Sequence, residues 1–293
     1  MIESRISRRA LLGGALALVP AWPVLAASSW NQFAALEKSS GARIGVGAID
    51  TGSGRTIFYR ESERFIMCSS FKLSLAAAVL ARADRGEEQL ERVVHYQQNE
   101  LLDVSPATSK NLATGMSVEA LCEAAVIYSD NTAANLLMAI VGGPAGVTKF
   151  WRSLGDETSH LDRTEPALNI PDGDKDTTTP VAMLGNLKTM LLGDALKLSS
   201  RQKLAEWMSA NTTGDLMLRA GLPKNWKVGD KTGRYASSAT SNAAIDLAIA
   251  TPPGGKPVLI TAFTMNGNGD DTAHQALVAD IGRIIASEFA QTA

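Results

Sequence analysis

A serine followed three residues later by a lysine, at the head of an apolar run, is a place where a chain can build a nucleophile. Ser69-Ser-Phe-Lys72 opens the segment Phe71 to Leu80, whose composition predicts a buried helix. Residues three apart share a helix face, so the Ser69 hydroxyl and the Lys72 amine would lie side by side. A lysine on so apolar a face is desolvated, which favours its neutral form and makes it a candidate base. Unpaired backbone N–H groups at the start of the helix favour an oxyanion or an anionic ligand there. The competing reading is a lysine whose stem lies on apolar surface while its ammonium reaches water.

The same spacing occurs again at Ser200–Lys203. There Ser199-Ser-Arg-Gln-Lys-Leu-Ala-Glu-Trp-Met reads as a serine cap opening an amphipathic helix that buries Leu204, Trp207 and Met208. The pattern alone is therefore cheap, and the meaning of Ser69 depends on what else accompanies it.

Two further polar groups follow in order. Ser129-Asp130-Asn131 comes after Ser117-Val-Glu-Ala-Leu-Cys-Glu-Ala-Ala-Val-Ile, which is helical by periodicity. By residue type alone it could be a helix-to-helix turn. Lys231-Thr232-Gly233 continues the strand-like stretch from Trp226, and alone it could be an exposed edge strand carrying a lysine. Taken together, the three groups resemble the signature of the serine penicillin-recognising enzymes. In that signature a serine nucleophile, a hydroxyl proton relay and a cationic anchor converge on one acyl substrate.

These residues need a scaffold, and the chain has the length for it. Its 293 residues suit one large domain or two intimate ones. With 28 Lys and Arg against 30 Asp and Glu, and no basic block, nothing points to nucleic acid. His95, His160 and His274 are scattered without metal-ligand spacing, so no metal or other cofactor is expected. Cys68 and Cys122 read as two small buried free thiols in preference to a bridge. At the N-terminus, Ser7-Arg8-Arg9 precedes a mild apolar run, Leu11–Val19, and then the small residues Ala26-Ala27. That is a twin-arginine export signal over 1–27, cleaved near Ala26 or Ala27, with an apolar run too short to remain as an anchor. The expected mature product is a periplasmic monomer with no stable membrane association.

Ala42–Ile49 and Arg55–Tyr59, joined through Asp50-Thr-Gly-Ser-Gly, predict a β-hairpin. Helical patterns run from Ser69 to Asn211, one of them opened by Thr179-Pro180 and another bracketed by Gly143 and Gly155. Strands resume at Trp226–Thr232, Asn242–Ala250 and Pro257–Thr264, and a closing helix follows from Thr272. The expected class is α/β (α+β): a mixed antiparallel sheet flanked by helices, with an inserted all-helical subdomain. Residues 28–66 and 213–293 would form the α/β part and 67–212 the helical part. Between them, 161–178 is polar, punctuated by prolines and predicted to hold no regular element, a length that is usually functional.

With that loop included, the mature chain resembles the class A serine β-lactamases along essentially its whole length. The decisive piece is Arg163-Thr-Glu165-Pro166-Ala-Leu168-Asn169, similar to the family's Ω-loop, which penicillin-binding proteins lack. The resemblance implies the serine β-lactamase fold, a small-molecule β-lactam substrate and specific roles. Ser69 would attack the lactam carbonyl, with the N–H groups of Ser69 and Arg234 stabilising the oxyanion. Lys72, or Glu165 through a water, would take the proton. Ser129 would pass it to the leaving nitrogen. Lys231, Thr232 and Gly233 would form the wall that holds the substrate carboxylate, and Asn131 the acylamido group. Glu165 with Asn169 would direct the deacylating water, across a cis Glu165–Pro166 bond. Arg163 would pair with Asp176 to close the loop, and Asn135 would tether it.

The chain departs from that pattern in several places. Val104 stands where the family carries an aromatic residue, and the Ω-loop is shorter between Asn169 and Pro171. The family's disulfide partners of Cys122 and Cys68 fall at Ala76 and Tyr235. Arg234 occupies a normally small position, while the usual slots of an auxiliary arginine hold Thr240, Met217 and His274. Arg234 is therefore expected to supply a second positive charge for the substrate carboxylate. The competing functions are a D,D-peptidase and a β-lactam sensor that acylates without turnover; neither needs Glu165 and Asn169.

Overall fold

The computed structural model describes residues 26–238 and 241–290. The export signal over 1–27 therefore lies outside the described residues, apart from Ala26 and Ala27, and so does Thr240. Helix α1 (Ala26–Ser40) comes first. Its apolar periodicity is weak and the sequence pattern had assigned it no element; Phe33, fully buried, anchors it to the sheet. Gly41, at φ +68°, ends it.

Strands β1 (Arg43–Asp50) and β2 (Thr56–Tyr59) form the expected hairpin, whose turn is fixed by Asp50 Oδ1 accepting from Gly52 N at 2.9 Å. Strand β3 (Phe65–Ile66) leads to a tight 3-10 turn, Cys68–Ser70, and helix α2 (Phe71–Asp84). A two-stranded ribbon of β4 (Val93–Val94) and β5 (Met116–Ser117) precedes α3 (Val118–Ile127), α4 (Asn131–Val141) and α5 (Gly143–Ser153). Strand β6 (Thr177–Thr178) pairs with β3. Helices α6 (Pro180–Leu191), α7 (Leu198–Ser209) and the short α8 (Leu218–Gly221) follow. The chain then runs through β7 (Lys227–Ser238), β8 (Ser241–Thr251) and β9 (Val258–Met265) to α9 (Asp271–Ala290). The segment 161–178 does carry regular structure, contrary to expectation: β6 and a 3-10 turn at Ala167–Asn169.

The main sheet has the order β2-β1-β9-β8-β7, every pair antiparallel. Helices cover both faces, so its inner strands are apolar on both sides. Ile44, Val46 and Ala48 of β1 join Ala244, Ala248 and Ile260 in a core closed by α1, α8 and α9. On the other face Ile245, Leu247, Leu259 and Phe263 continue into the large core of α2 to α7. Gly45 is required there, because a Cβ would lie 2.4 Å from the Phe65 ring.

The pleat decides where the Lys-Thr-Gly group points. Directly opposed residues share a face, and β7 pairs Lys231 with Leu247, Thr232 with Asp246 and Asp230 with Ala248. Lys231 and Gly233 thus face the helical side, while Thr232 and Asp230 face the other. Strand β7 is an edge strand, but Lys231 is fully buried, so the exposed-lysine reading fails.

Helix α7 corrects another reading. Its N-cap is Lys197, with no side-chain cap, rather than Ser199. The orphan N–H of Lys197 donates instead to Asp84 Oδ2 of α2 at 2.6 Å, and the Ser200 hydroxyl donates to Asp84 Oδ1 at 2.7 Å. A carboxylate from another helix does the capping, which no local pattern reveals.

Candidate active site

Ser69 sits in the 3-10 turn at the mouth of α2, directly after Cys68, whose φ is +44°. A non-glycine residue held there is strained by roughly 1–3 kcal/mol, and such strain concentrates at functional turns. Ser129 and Val104, both at φ +58°, are two further cases in the same cleft. The turn is locked from below by β7. A Cβ on Gly233 would lie 2.5 Å from Met67 O and 2.8 Å from Ser70 N, so only glycine permits this approach. That close approach brings the strand at Arg234 alongside Ser69.

The Ser69 hydroxyl donates to Glu165 Oε1 at 3.2 Å, and Lys72 Nζ reaches the same oxygen at 3.0 Å. Among the described residues no hydrogen bond joins Ser69 to Lys72 directly. Lys72 is fully buried and also donates to Ser129 O at 2.8 Å and Asn131 Oδ1 at 2.6 Å. Burial pushes its ammonium below the ordinary lysine range, while the Glu165 carboxylate and Asp130 oppose that shift. The snorkelling alternative is excluded, since the side chain has no exposed surface.

Ser129 lies between two lysines. Lys231 Nζ donates to its hydroxyl at 3.1 Å and Lys72 Nζ approaches the same oxygen at 3.5 Å. Lys231 is lowered to about 7, first by burial and then by the charge of Lys72. The Ser-Asp-Asn group forms the turn from α3 into α4, and its Ser129 and Asn131 also line the cleft. Asp130 is the residue the sequence reading passed over. Fully buried, it accepts from Ala107 N, Thr108 N and Thr108 Oγ1, and its Oδ1 caps α4 through Ala133 N at 2.9 Å. Its position just before a helix was the available signal.

The loop over 161–178 delivers Glu165. The Glu165–Pro166 bond is cis. Asn135 of α4 holds the Glu165 backbone twice, donating to its carbonyl at 2.9 Å and accepting from its N–H at 3.0 Å. Asn169 Nδ2 donates to Glu165 Oε2 at 2.5 Å, while Asn169 Oδ1 is buried without a protein partner. Asp176, fully buried, accepts from Arg163 Nε at 2.6 Å and from the N–H groups of Asp162 and Arg163. With this burial and these added bonds the pair is more than a surface contact.

A cleft of about 530 Å³ is lined by Ser69, Ser129, Asn131, Thr213, Thr232 and Arg234, with the buried Lys72, Glu165 and Lys231 bonded to its serines from behind. Arg234 is exposed on its wall and pairs with Asp271 Oδ2 at 2.6 Å, so its charge is already partnered. Val104, Tyr128 and Ile170 supply an exposed apolar rim. Met217 and His274 are buried and absent from the lining. Cys68 and Cys122 are free, buried thiols, both raised chiefly by burial. Among the described residues no group of His, Cys, Asp and Glu could hold a metal. Thr213 and Asn211, drawn in from the loop before α8, had no sequence signal.

A model of the β-lactamase enzyme family matches residues 28–289. β-Lactamase AST-1 of Nocardia asteroides is 45% identical over 87% of this chain and 81% of its own length. The carbapenem-hydrolysing β-lactamase KPC of Klebsiella oxytoca is 46% identical over 86% of each. The solved structure of an ancestral class A β-lactamase superposes with a TM-score of 0.85 at 50% identity, over 88% of this chain and 99% of that one.

Proposed function

This chain belongs to the class A β-lactamase family and is an enzyme acting on β-lactams; from that premise we propose that Ser69 is its nucleophile and Glu165 the group that makes it a hydrolase. The Ser69 oxygen attacks the lactam carbonyl and its proton passes to the Glu165 carboxylate, its hydrogen-bond partner at 3.2 Å. Lys72, ion-paired to the same carboxylate, holds that geometry. The N–H groups of Ser69 and Arg234 receive the developing oxyanion, a contribution of about 3–4 kcal/mol per donor in other enzymes. The C–N bond then breaks as Ser129, its hydroxyl polarised by Lys231 at 3.1 Å, hands its proton to the leaving nitrogen. Lys72, in reach of both groups, reprotonates Ser129 and takes the proton held on Glu165, which is again a carboxylate. Lys231 and Thr232 bind the substrate carboxylate, and Asn131 the acylamido group. In the second half Glu165 takes a proton from water, which attacks the acyl-enzyme; the ester C–O bond breaks and Glu165 returns that proton to the Ser69 oxygen, its partner at 3.2 Å. The buried, unpartnered Asn169 Oδ1 beside Glu165 suits such a water.

One observation carries this reading: a single carboxylate oxygen, set by the Ω-loop, touches both the serine and its lysine. The sequence adds export by the twin-arginine route to the periplasm and action as a monomer without nucleic-acid partners or stable membrane association. No described helix is long and apolar enough to cross a membrane. Arg234, although paired with Asp271, remains the candidate second cation for the carboxylate. Pre-steady-state kinetics with a chromogenic cephalosporin test the assignment. Multiple turnover is expected, whereas a single stoichiometric burst would reassign the protein as a peptidase-like target or a sensor. Glu165→Ala should slow acylation and block deacylation, so that acyl-enzyme forms slowly and then persists in mass spectrometry, with turnover reduced about 10²- to 10⁴-fold. Turnover at the parent rate would remove Glu165 from the mechanism.

A further inference from the structure

A chain of buried and half-buried hydrogen bonds starts at Asp230 and ends at Thr232. Asp230, fully buried, receives Arg219 Nη2 at 2.8 Å and Asn211 Nδ2 at 2.7 Å, both on Oδ1. A carboxylate oxygen that takes an arginine accepts from Asn211 as well, so the Asn211 amide is fixed with its nitrogen toward Asp230 and its oxygen away. The other end agrees: Asn211 Oδ1 accepts from Thr213 N at 3.1 Å and from Thr213 Oγ1 at 2.8 Å.

A threonine hydroxyl has one proton. With that proton given to Asn211, Thr213 Oγ1 can only accept from Thr232 Oγ1, which lies 2.5 Å away. The Thr232 proton is therefore turned into the protein, and toward the cleft Thr232 offers lone pairs alone. Yet Thr232 lines the cleft wall next to Lys231, where an anion must be met by donors.

We propose that Asn211 is a positioning residue that holds the Thr213–Thr232 hydroxyl pair pointing inward in the empty site, and that a substrate carboxylate reverses the pair. On binding, Thr232 donates to the carboxylate and Thr213 swings its proton from Asn211 Oδ1 to Thr232 Oγ1. Asn211 Oδ1 keeps the Thr213 N–H, so one inward hydrogen bond is exchanged for one to substrate and no group is left bare. The enzyme thus discriminates against ligands too weakly anionic to drive the reversal. This rests on the placement of the substrate carboxylate at Lys231 and Thr232 proposed above.

The test compares kcat/KM for a chromogenic cephalosporin bearing its free carboxylate with that for its methyl ester. Taking the ratio cancels general effects on the serine chemistry. Thr213→Val keeps the shape and the N–H to Asn211 but removes the hydroxyl that draws the Thr232 proton inward. The acid-to-ester ratio should rise about threefold to tenfold, the span of one exchanged hydrogen bond. Thr213→Ser should restore the parent ratio. Asn211→Leu should raise the ratio in the same direction, and should add nothing in a Thr213→Val background. A lower or unchanged ratio in Thr213→Val would overturn the reversal, because Thr213 would then be a direct donor or a bystander. An effect of Asn211→Leu that persists in the Thr213→Val background would overturn the role of Asn211. If the unmutated enzyme hydrolyses neither compound, the functional assignment fails instead, so the two failures are separable.

Discussion

Ser69–Lys72 and Ser200–Lys203 are the same pattern on two helices of one molecule, and almost everything about their surroundings differs. Ser69 precedes its helix in a strained turn and aims its hydroxyl at Glu165, a residue from a distant loop. Ser200 lies within the first turn of α7, its proton spent on Asp84 at 2.7 Å. Lys72 has no exposed surface and lies among Glu165, Ser129 and Asn131. The Lys203 side chain is 33% exposed, pairs with Glu119 and sits 5.9 Å over the Trp207 ring. A three-residue spacing puts two groups on one helix face and does nothing more. Chemistry needs a face that is covered by something ionisable and closed to water.

The strongest way to break this comparison is to remove each lysine. Lys72→Ala should lower kcat/KM for a β-lactam by about 10²- to 10⁴-fold, since it takes away the cation that orders Glu165 and the serine. Lys203→Ala should leave kcat/KM within a factor of two and stability within about 0.5 kcal/mol, as surface substitutions do. Equal losses at the two sites would mean that burial is not what separates them.

Titration sharpens the contrast further. Lys231 is lowered to about 7, so in the free enzyme its ammonium is lost as pH rises through that value. For an anionic β-lactam, kcat/KM should therefore fall above pH ~7. Arginine stays protonated throughout this range. Lys231→Arg should move the falling limb upward, and any limb that remains belongs to Lys72, which burial also lowers. The sign for stability is opposite. Above about 7 the unfolded chain keeps a proton that folded Lys231 has released, so this group's contribution makes the fold more stable with rising pH up to the ordinary lysine value. A pH–rate profile that Lys231→Arg does not shift would detach Lys231 from substrate binding.

How much of this was readable beforehand follows from the range of each interaction. The β1–β2 hairpin, α6 behind Thr179-Pro180 and strands β8 and β9 were legible because periodicity and turn residues act within a few positions. Ser69, Ser129, Lys231 and Glu165 were legible as motifs, and the structure gathers them with Lys72 in one hydrogen-bonded cluster. Helix α1 was not, because its residues alternate without a strong apolar stripe and its order comes from Phe33 in the sheet core. Asn211, Thr213 and Asp271 were invisible for a related reason. Each earns its place by a contact across the fold, to Asp230, Thr232 and Arg234 respectively, and no local spacing encodes such partners.

The smallest expected effect is at the other serine. Ser200→Ala removes one hydrogen bond to Asp84 while leaving the Lys197 N–H bonded to the other oxygen. One such bond contributes about 1 kcal/mol. The melting temperature should drop by about 2 °C, and kcat/KM should be untouched. Asp84→Ala removes both bonds and uncaps α7, a loss of up to about 2 kcal/mol, again without kinetic consequence. Ser200→Ala in the Asp84→Ala background should then cost almost nothing, because the hydroxyl has lost its acceptor. Additive losses would mean that Ser200 stabilises α7 by some route other than Asp84. A kinetic loss in either variant would mean that the scaffold copy of the pattern communicates with the copy proposed as catalytic through α2, the helix that carries both Lys72 and Asp84.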